Sequence, residues 1–228
     1  INNKLAFINL EDSIQVQKAA DLKFFSFGIK KENADVNIID VKANPFVEIN
    51  FSNLIIKSHL IGLYNANNIN AALTIGKYFG VDDIAIKEGL ESYIPENNRS
   101  QLLSKGTNQI ILDAYNANPS SMKVAIENFL QLDNPNKIMI LGDMFELGDA
   151  STQEHLEVLK LLLDKNEIQC FFIGSAFYAN KTVTTHFHFY ETFDSFSEYL
   201  KEIKIVNSVV LIKGSRGMAL ERTLQFFS

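Results

Sequence analysis

Apolar and polar residues alternate in short runs over roughly the first 60 residues of the chain. Short apolar runs bounded by polar residues are typical of strands, and two alternating segments that meet at Ser52-Asn53 predict a hairpin. Helical spacing over 11–20 predicts a helix between the first two strands. The predicted strands of this region are 5–8, 24–27, 37–41, 46–51 and 53–61.

The spacing of apolar residues becomes helical from about residue 64 to residue 94. One predicted helix, 68–80, ends near Gly80, and a second, 82–94, is closed by Pro95. The polar stretch 95–100 that follows has the composition of a linker.

Strands and helices alternate regularly beyond this linker, which indicates a mostly parallel sheet covered on both faces. Asn118 and Pro119 predict the start of a helix, with the asparagine as N-cap, and Ser151 with Glu154 predicts a capping box for another. The predicted strands are 108–115, 137–143, 170–174, 186–190 and 208–214; the predicted helices are 120–132, 151–165, 193–203 and 216–227.

Composition limits the classes of partner. The chain is 46% hydrophobic and has a net charge of −6. We therefore do not expect its overall electrostatic field to attract nucleic acid or an anionic membrane. No apolar run has membrane-spanning length and no signal peptide is visible, so we expect no membrane insertion and a cytoplasmic protein. The lone Cys170 lies in a predicted buried strand, and the histidines lack metal-ligand spacing, so no metal ligands are predicted.

Polar residues follow several strands at the carboxyl edge of the predicted sheet, where ligands of such sheets bind. Asp113 could accept hydrogen bonds from ribose hydroxyls or help to hold a cation, and the amides of Asn116 and Asn118 can donate and accept. A helix cap explains Asn118 and Pro119 fully. It does not explain the grouping of Asp113, Tyr115 and Asn116.

A second candidate lies where the last predicted strand meets the last predicted helix. Lys213, Ser215 and Arg216 stand there among glycines, and backbone N–H groups, a helix dipole and two cations suit an anion. The alternative is that the two basic side chains are simply exposed to solvent.

The segment 115–122, YNANPSSM, resembles the signature of the Mur ligases, in the form typical of the branch that adds D-alanyl-D-alanine. The segment 60–76 resembles the family's Gly-x-His-Asn-x-x-Asn-Ala pattern but has Tyr64 in place of the histidine. The segment 141–148 resembles a family loop that follows a strand, and Arg99 matches an arginine at the junction of two domains.

This resemblance implies an ATP-dependent, amide-forming ligase of peptidoglycan precursor synthesis that uses Mg²⁺. Its substrates would be UDP-N-acetylmuramoyl-tripeptide and D-alanyl-D-alanine, joined through an acyl phosphate. The resemblance also implies residue roles. For ATP, these are contacts of Asn65 and Asn68 with the adenine, of Asp113 with the ribose and of Arg99 with the phosphates. Lys213 and Ser215 would bind the incoming dipeptide, and Arg99 and Lys213 would be the catalytic residues. Further substrate contacts are implied for Tyr115, Asn116, Asn118 and Arg216.

The resemblance further implies an α/β fold in two parts. Residues 1–98 would be the end of a P-loop-type central ATPase domain, and 99–228 a Rossmann-like C-terminal domain with a mostly parallel sheet. The chain begins at Ile1 and contains no Gly-x-x-Gly-Lys-Thr-like phosphate loop, so we expect a fragment that is inactive alone, with its magnesium ligands upstream.

Two other functions remain open at this point. One is a sister ligase, of the Mur or folylpolyglutamate type, that adds a single amino acid. The other is a non-catalytic α/β nucleotide-binding module that kept the fold. The sequence does not decide the third residue of the tripeptide, the oligomeric state, or the roles of Asp143 and Glu146.

Overall fold

The computed structural model describes residues 5–96 and 98–227. The chain divides into two compact units, Ile1–Ile94 and Pro95–Ser228. This division falls close to the predicted one between 98 and 99, while the assignment of the first unit to an ATPase domain stays a prediction.

The first unit contains a five-stranded sheet in the order β1-β2-β3-β4-β5. The pairs β1–β2 and β2–β3 are parallel, and the pairs β3–β4 and β4–β5 are antiparallel. The strands are β1 (Leu5–Asn9), β2 (Lys23–Ile29), β3 (Val36–Ala43), β4 (Phe46–Phe51) and β5 (Leu54–Ile61), and the helices are α1 (Ser13–Lys18), α2 (Ala66–Tyr78) and α3 (Asp83–Ser92).

The core of the first unit forms where α2 and α3 cover this sheet. Ile38, Ile49 and Ile56 from the strands and Leu73 and Ile86 from the helices belong to one buried cluster. The predicted hairpin between β4 and β5 is confirmed, and Ser52 takes the left-handed backbone conformation (φ +53°) that such a tight turn needs.

The second unit contains a six-stranded sheet in the order β10-β9-β8-β11-β7-β6, in which only the pair β6–β7 is antiparallel. The predicted mostly parallel sheet is therefore confirmed, while the edge strand β6 was not predicted. The strands are β6 (Gln101–Lys105), β7 (Asn108–Asp113), β8 (Lys137–Gly142), β9 (Gln169–Ile173), β10 (Phe187–Tyr190) and β11 (Val209–Lys213), and the helices are α4 (Pro119–Leu130), α5 (Ser151–Leu162), α6 (Ser175–Ala179) and α7 (Phe193–Glu202).

The central strand β11 explains why the sheet is parallel. All five of its residues are buried, which is the pattern of a strand that is covered on both faces. Its side chains pack with those of β7 and β8 in a core cluster that also takes in Phe196 and Leu200 of α7. This packing brings the carboxyl ends of β7, β8 and β11 to one edge of the sheet.

Two predictions about helix ends in this unit are wrong. The start of α5 follows a 3₁₀ turn, Gly148–Ala150, and Ala150 at its N-cap makes no side-chain bond, so Ser151 and Glu154 form no capping box. The turn already supplies the entry into the helix, and the carbonyl of Ser151 bonds the ring of His155 instead.

The predicted last helix, 216–227, is also wrong. The chain forms two 3₁₀ segments, Arg216–Met218 and Leu220–Phe226, on either side of Ala219. Ala219 has a left-handed backbone (φ +48°), which an α-helix cannot accommodate, so Leu220 turns into the core instead of continuing a helix. In the described residues, no helix is both long and apolar enough to cross a membrane.

Candidate functional site

The buried Lys213 and the half-buried Asp113 form an ion pair at the carboxyl edge of the second sheet. The parallel register sets Lys213 at the end of β11 opposite Asp113 at the end of β7, and the ammonium nitrogen lies 2.6 Å from Oδ2 of the carboxylate. The ammonium also donates to the carbonyl of Asn116 at 3.2 Å. Lys213 is only 1% exposed, so its charge depends on these partners.

The segment before β6 is attached to the same carboxylate. Oδ1 of Asp113 accepts a hydrogen bond of 3.1 Å from the backbone N–H of Ser100, and the N–H of Tyr115 donates to the carbonyl of Asn98 at 3.1 Å. The guanidinium of Arg99 lies over the ring of Tyr115, 3.7 Å from its centroid. The structure therefore brings together Arg99, Asp113, Tyr115 and Lys213, which were predicted from separate parts of the sequence.

Ser215 joins the loop after β11 to the loop after β8. Its N–H donates to the carbonyl of Asp143 at 3.1 Å, and its hydroxyl accepts from the N–H of Phe145 at 2.8 Å. The side chain is buried and also lies 3.5 Å from the carbonyl of Ala117. These bonds give Ser215 a role in fixing the loops, and its predicted contact with the incoming dipeptide stays a prediction.

Asp143 fixes the start of α6. Its two carboxylate oxygens accept the backbone N–H groups of Ala176 and Phe177, each at 2.9 Å. The carboxylate lies where a side chain on Gly174 would be, because a Cβ there would come within 2.3 Å of it. The structure thus gives Asp143 a loop-shaping role, and Glu146 lies exposed in the same loop.

His155 anchors this loop from α5, and no sequence pattern predicted this role. Its Nε2 accepts the N–H of Met144 at 3.1 Å, and its Nδ1 lies 2.7 Å from the carbonyl of Ser151. This pair of partners requires the neutral ring with its proton on Nδ1. The sequence pattern shows only a polar residue within a helix, so no local feature distinguishes His155 from a solvent-facing side chain.

Asn118 is the N-cap of α4, as predicted. Its side-chain oxygen accepts the N–H of Ser121 at 2.8 Å, and the hydroxyl of Ser121 receives the N–H of Asn118 in return. Asn116 bonds within its own turn, because its side-chain oxygen accepts the N–H of Ala117. The predicted substrate contacts of both asparagines stay predictions.

The predicted anion site relied on the N-terminus of a last α-helix. The chain forms 3₁₀ segments there instead, so this basis of the prediction is wrong. Arg216 opens a 3₁₀ turn of three residues, which has too few aligned peptide units for a helix dipole. The side chain of Arg216 is 59% exposed and pairs with Glu221 at 3.1 Å. The alternative was that both basic side chains are exposed to solvent. This is true of Arg216 and wrong for Lys213, which is buried.

Asn65 and Asn68 lie at the start of α2 in the first unit. The side chain of Asn65 is buried, donates to the carbonyl of Ile61 at 2.7 Å and accepts from the amide of Asn68 at 3.1 Å. Asn68 is exposed and lines a surface cavity of about 620 Å³ together with Asn9 and Asn67. Asn65 is therefore placed to orient Asn68, and their contacts with adenine stay predictions.

Among residues 5–96 and 98–227, no group of three or more His, Cys, Asp or Glu side chains is arranged to hold a metal ion. The predicted position of the magnesium ligands, upstream of this chain, stays a prediction. The carboxylate of Asp113 is paired with a cation, which makes it a poor ligand for a second cation.

The sheet order and the helices between its strands define a mostly parallel α/β domain with an ion pair at its carboxyl edge. A family model described as "Mur ligase, glutamate ligase domain" matches residues 98–216, which is just over half of the chain. The chain belongs to the Mur ligase family.

Curated relatives and solved structures agree with this assignment. The chain is 33% identical, over 73% of its length and 38% of the relative's, to UDP-N-acetylmuramoyl-tripeptide–D-alanyl-D-alanine ligase of Bacillus subtilis. It also resembles MurF from Acinetobacter baumannii, with a TM-score of 0.78 and 26% identity over 99% of this chain and 52% of that one. MurF from Thermotoga maritima, solved in complex with ADP, shares the fold at 23% identity, with a TM-score of 0.75 over 97% of this chain and 53% of that one.

The chain thus spans between 38% and 53% of the length of these three proteins.

Proposed function

We propose that this chain acts in an ATP-dependent ligase that joins D-alanyl-D-alanine to UDP-N-acetylmuramoyl-tripeptide in peptidoglycan precursor synthesis. The observation that carries the proposal is the buried pair of Lys213 and Asp113 directly beside the turn Tyr115–Pro119. A cation held at this edge, next to amide side chains and an exposed arginine, suits the binding of phosphates and carboxylates.

The activities for which the relatives are named support this branch of the family over the sister ligases. The B. subtilis relative is named for the addition of D-alanyl-D-alanine. The substrates in that name include a nucleotide-linked peptide, and a reaction that uses this peptide and ATP supports the proposal of a cytoplasmic location.

The residues at the edge of the sheet fit a nucleotide. Oδ1 of Asp113 accepts the N–H and the hydroxyl of Ser100, and Oδ2 accepts one N–H of Lys213. The side chain is partly accessible, so the second lone pair of Oδ2 suits a ribose hydroxyl. Arg99 is exposed and its planar guanidinium suits phosphate oxygens. Asn68, held by Asn65, offers an amide of the kind that binds adenine.

When bound, ATP supplies the phosphoryl group that converts the tripeptide carboxylate into an acyl phosphate. The neutral amine of D-alanyl-D-alanine then attacks that carbonyl carbon, an amide bond forms as the nitrogen gives up a proton to solvent, and the phosphate leaves with the electrons of the broken C–O bond. Lys213 contributes a positive charge that is fixed at the edge of the sheet by its bonds to Asp113 and Asn116. Positioning and charge stabilisation of this kind supply most of the rate in such reactions.

In this proposal magnesium enters the site only as an ion bound to the nucleotide. The described residues do not form a metal site, so none of them is assigned to the ion and no step passes through it.

The test is a product assay by mass spectrometry on the product of the complete reading frame that encodes this chain. The mixture contains ATP, magnesium, UDP-N-acetylmuramoyl-tripeptide and D-alanyl-D-alanine, and the expected product is the UDP-linked pentapeptide. Acceptance of single amino acids only would favour a sister ligase. Nucleotide binding without any product would favour a non-catalytic module.

A further inference from the structure

The backbone on both sides of Arg99 is strained. Asn98 has φ +58° and Ser100 has φ +48°, a left-handed conformation that residues with a Cβ rarely adopt. Such conformations persist where surrounding contacts hold them, and they occur often at functional sites. One of these contacts is local, because the side chain of Gln101 accepts the N–H of Asn98 at 3.1 Å.

The other contacts that hold this segment come from the turn after β7. The N–H of Tyr115 donates to the carbonyl of Asn98, and the carboxylate of Asp113 accepts the N–H of Ser100, both at 3.1 Å. Both neighbours of the arginine are therefore fixed to one turn. The position and direction of the arginine's Cα–Cβ bond follow from these two bonds.

The side chain of Arg99 is restricted as well. Its guanidinium carbon lies 3.7 Å from the centroid of the Tyr115 ring, within the range of a cation–π contact. Both side chains are exposed, so no buried core imposes this arrangement. A planar guanidinium stacked on a ring keeps its edge N–H groups free to bind oxygen atoms.

We propose that Tyr115 is the positioning residue for Arg99. Its ring holds the guanidinium and its N–H holds the backbone before the arginine, so the arginine loses less conformational freedom when it binds an anion. This role differs from the substrate contact predicted for Tyr115. It rests on the proposed function, in which Arg99 contacts the phosphates of ATP.

The test is a double-mutant cycle on the product of the complete reading frame, with the Michaelis constant for ATP and kcat measured for each variant. Tyr115→Leu keeps the backbone N–H but removes the ring, and it should lower kcat/KM for ATP about three- to tenfold. Tyr115→Phe keeps the ring and should stay within about twofold of the parent. In an Arg99→Ala background, Tyr115→Leu should have no further effect, because a residue that acts through Arg99 has nothing left to position.

A matched control is available in the second unit. Lys181 lies over the half-buried ring of Tyr178 at 4.3 Å, so Tyr178→Leu removes another cation–π contact elsewhere. It should leave kcat/KM for ATP unchanged. Thermal unfolding of each variant identifies any loss of activity that follows from loss of the fold.

The results for the Arg99 and Tyr115 variants distinguish a failure of the positioning role of Tyr115 from a failure of the proposed function. If Arg99→Ala impairs ATP use but Tyr115→Leu adds a full further loss in that background, Tyr115 acts by itself and the inference is overturned while the ligase proposal stands. If Arg99→Ala leaves the Michaelis constant for ATP unchanged, the phosphate role of Arg99 is overturned, and the positioning role falls with it.

A second measurement reports the contact without activity. The Nε–H resonance of Arg99 should show an upfield ring-current shift that persists in Tyr115→Phe and disappears in Tyr115→Leu. An unshifted resonance in the parent protein would overturn the inference.

Discussion

Asp113 and Lys213 lie opposite each other at the ends of β7 and β11, with 2.6 Å between the ammonium nitrogen and Oδ2 of the carboxylate. They are 100 residues apart in the sequence. The pair takes a backbone N–H from the segment before β6 and bonds a carbonyl in the turn after β7, so it connects three segments at the sheet edge. It therefore stabilises the edge as well as supplying charge to the proposed site.

Replacement of Lys213 by Met should lower the free energy of unfolding by about 3 kcal/mol, because it leaves a partly buried carboxylate without its cation. Asp113→Asn in the same background should recover part of this loss, since it removes the unpaired charge. Urea denaturation measures both values.

The control for this prediction is the exposed pair of Lys160 and Glu157, whose side chains are 61% and 53% accessible. Lys160→Met should change stability by less than about 0.5 kcal/mol. Equal losses for Lys213→Met and Lys160→Met would contradict the structural importance of the buried pair.

Replacement of Gly174 by Ala should destabilise the second unit by about 3 kcal/mol. The added Cβ would come within 2.3 Å of the Asp143 carboxylate, and the backbone there (φ +126°) is unfavourable for alanine. Gly148→Ala is the matched control, because it has φ +53° but no atom within 4 Å of the new Cβ, so only the backbone cost of about 1 kcal/mol is expected. Thermal unfolding that gave the same loss for both would show that Asp143 moves away freely.

Cys170 should be unreactive in the folded protein. It is fully buried in β9, and desolvation raises the pKa of its thiol from 9.0 to about 12. Iodoacetamide at pH 8 should therefore label it only in urea, because the thiolate is the reacting form. Labelling of the native protein at the rate of a free thiol would contradict the burial of this strand.

The raised pKa of the Cys170 thiol also predicts how the stability of the folded protein changes with pH. The pKa of the folded thiol lies above that of the unfolded thiol, so its contribution is complete below about pH 9 and is lost as the pH rises towards 12. Unfolding monitored by circular dichroism should show a smaller alkaline loss for Cys170→Ala than for the parent protein. Identical alkaline profiles would exclude this thiol as a contributor.

Asn118→Ala should cost about 1 kcal/mol of stability, because it removes the side-chain acceptor at the N-terminus of α4. Asn118→Asp keeps an acceptor and should retain most of the parent's stability. Ser120→Ala is a suitable control, since Ser120 only donates to the Asn118 oxygen from an exposed position and its loss should cost less than about 0.5 kcal/mol. Chemical denaturation that ranked Ser120→Ala with Asn118→Ala would argue against the cap.

Much of the second unit could be predicted because the signals are local. The alternation of apolar strands and helical periods reports directly which faces are buried, so a mostly parallel sheet follows from spacing alone. Asn118 and Pro119 mark the start of α4 because capping depends on neighbours within one turn. The edge strand β6 was missed, since a five-residue strand on an edge carries few buried positions.

Other features depended on partners that are distant in the sequence. The spacing within 216–227 fits a helix, but Leu220 packs against Gly142 and Gly214, and this close contact accompanies the reversal at Ala219. Ser151 and Glu154 have the spacing of a capping box, but a 3₁₀ turn and the ring of His155 occupy the helix start. In both places tertiary packing outweighed a local preference that is worth only about 1 kcal/mol.

The sequence by itself determined most of the order of the elements, the sheet type, the cap of α4 and the family signature at 115–122, because each depends on residues close together in the chain. Only the tertiary structure decided that Lys213 pairs with Asp113, that His155 holds the loop after β8, and that Arg99 lies on Tyr115. Those contacts follow from strand register and from the approach of separate loops. Which strands lie side by side depends on the packing of the whole sheet, so the short-range patterns of β7 and β11 do not show that these two strands are neighbours.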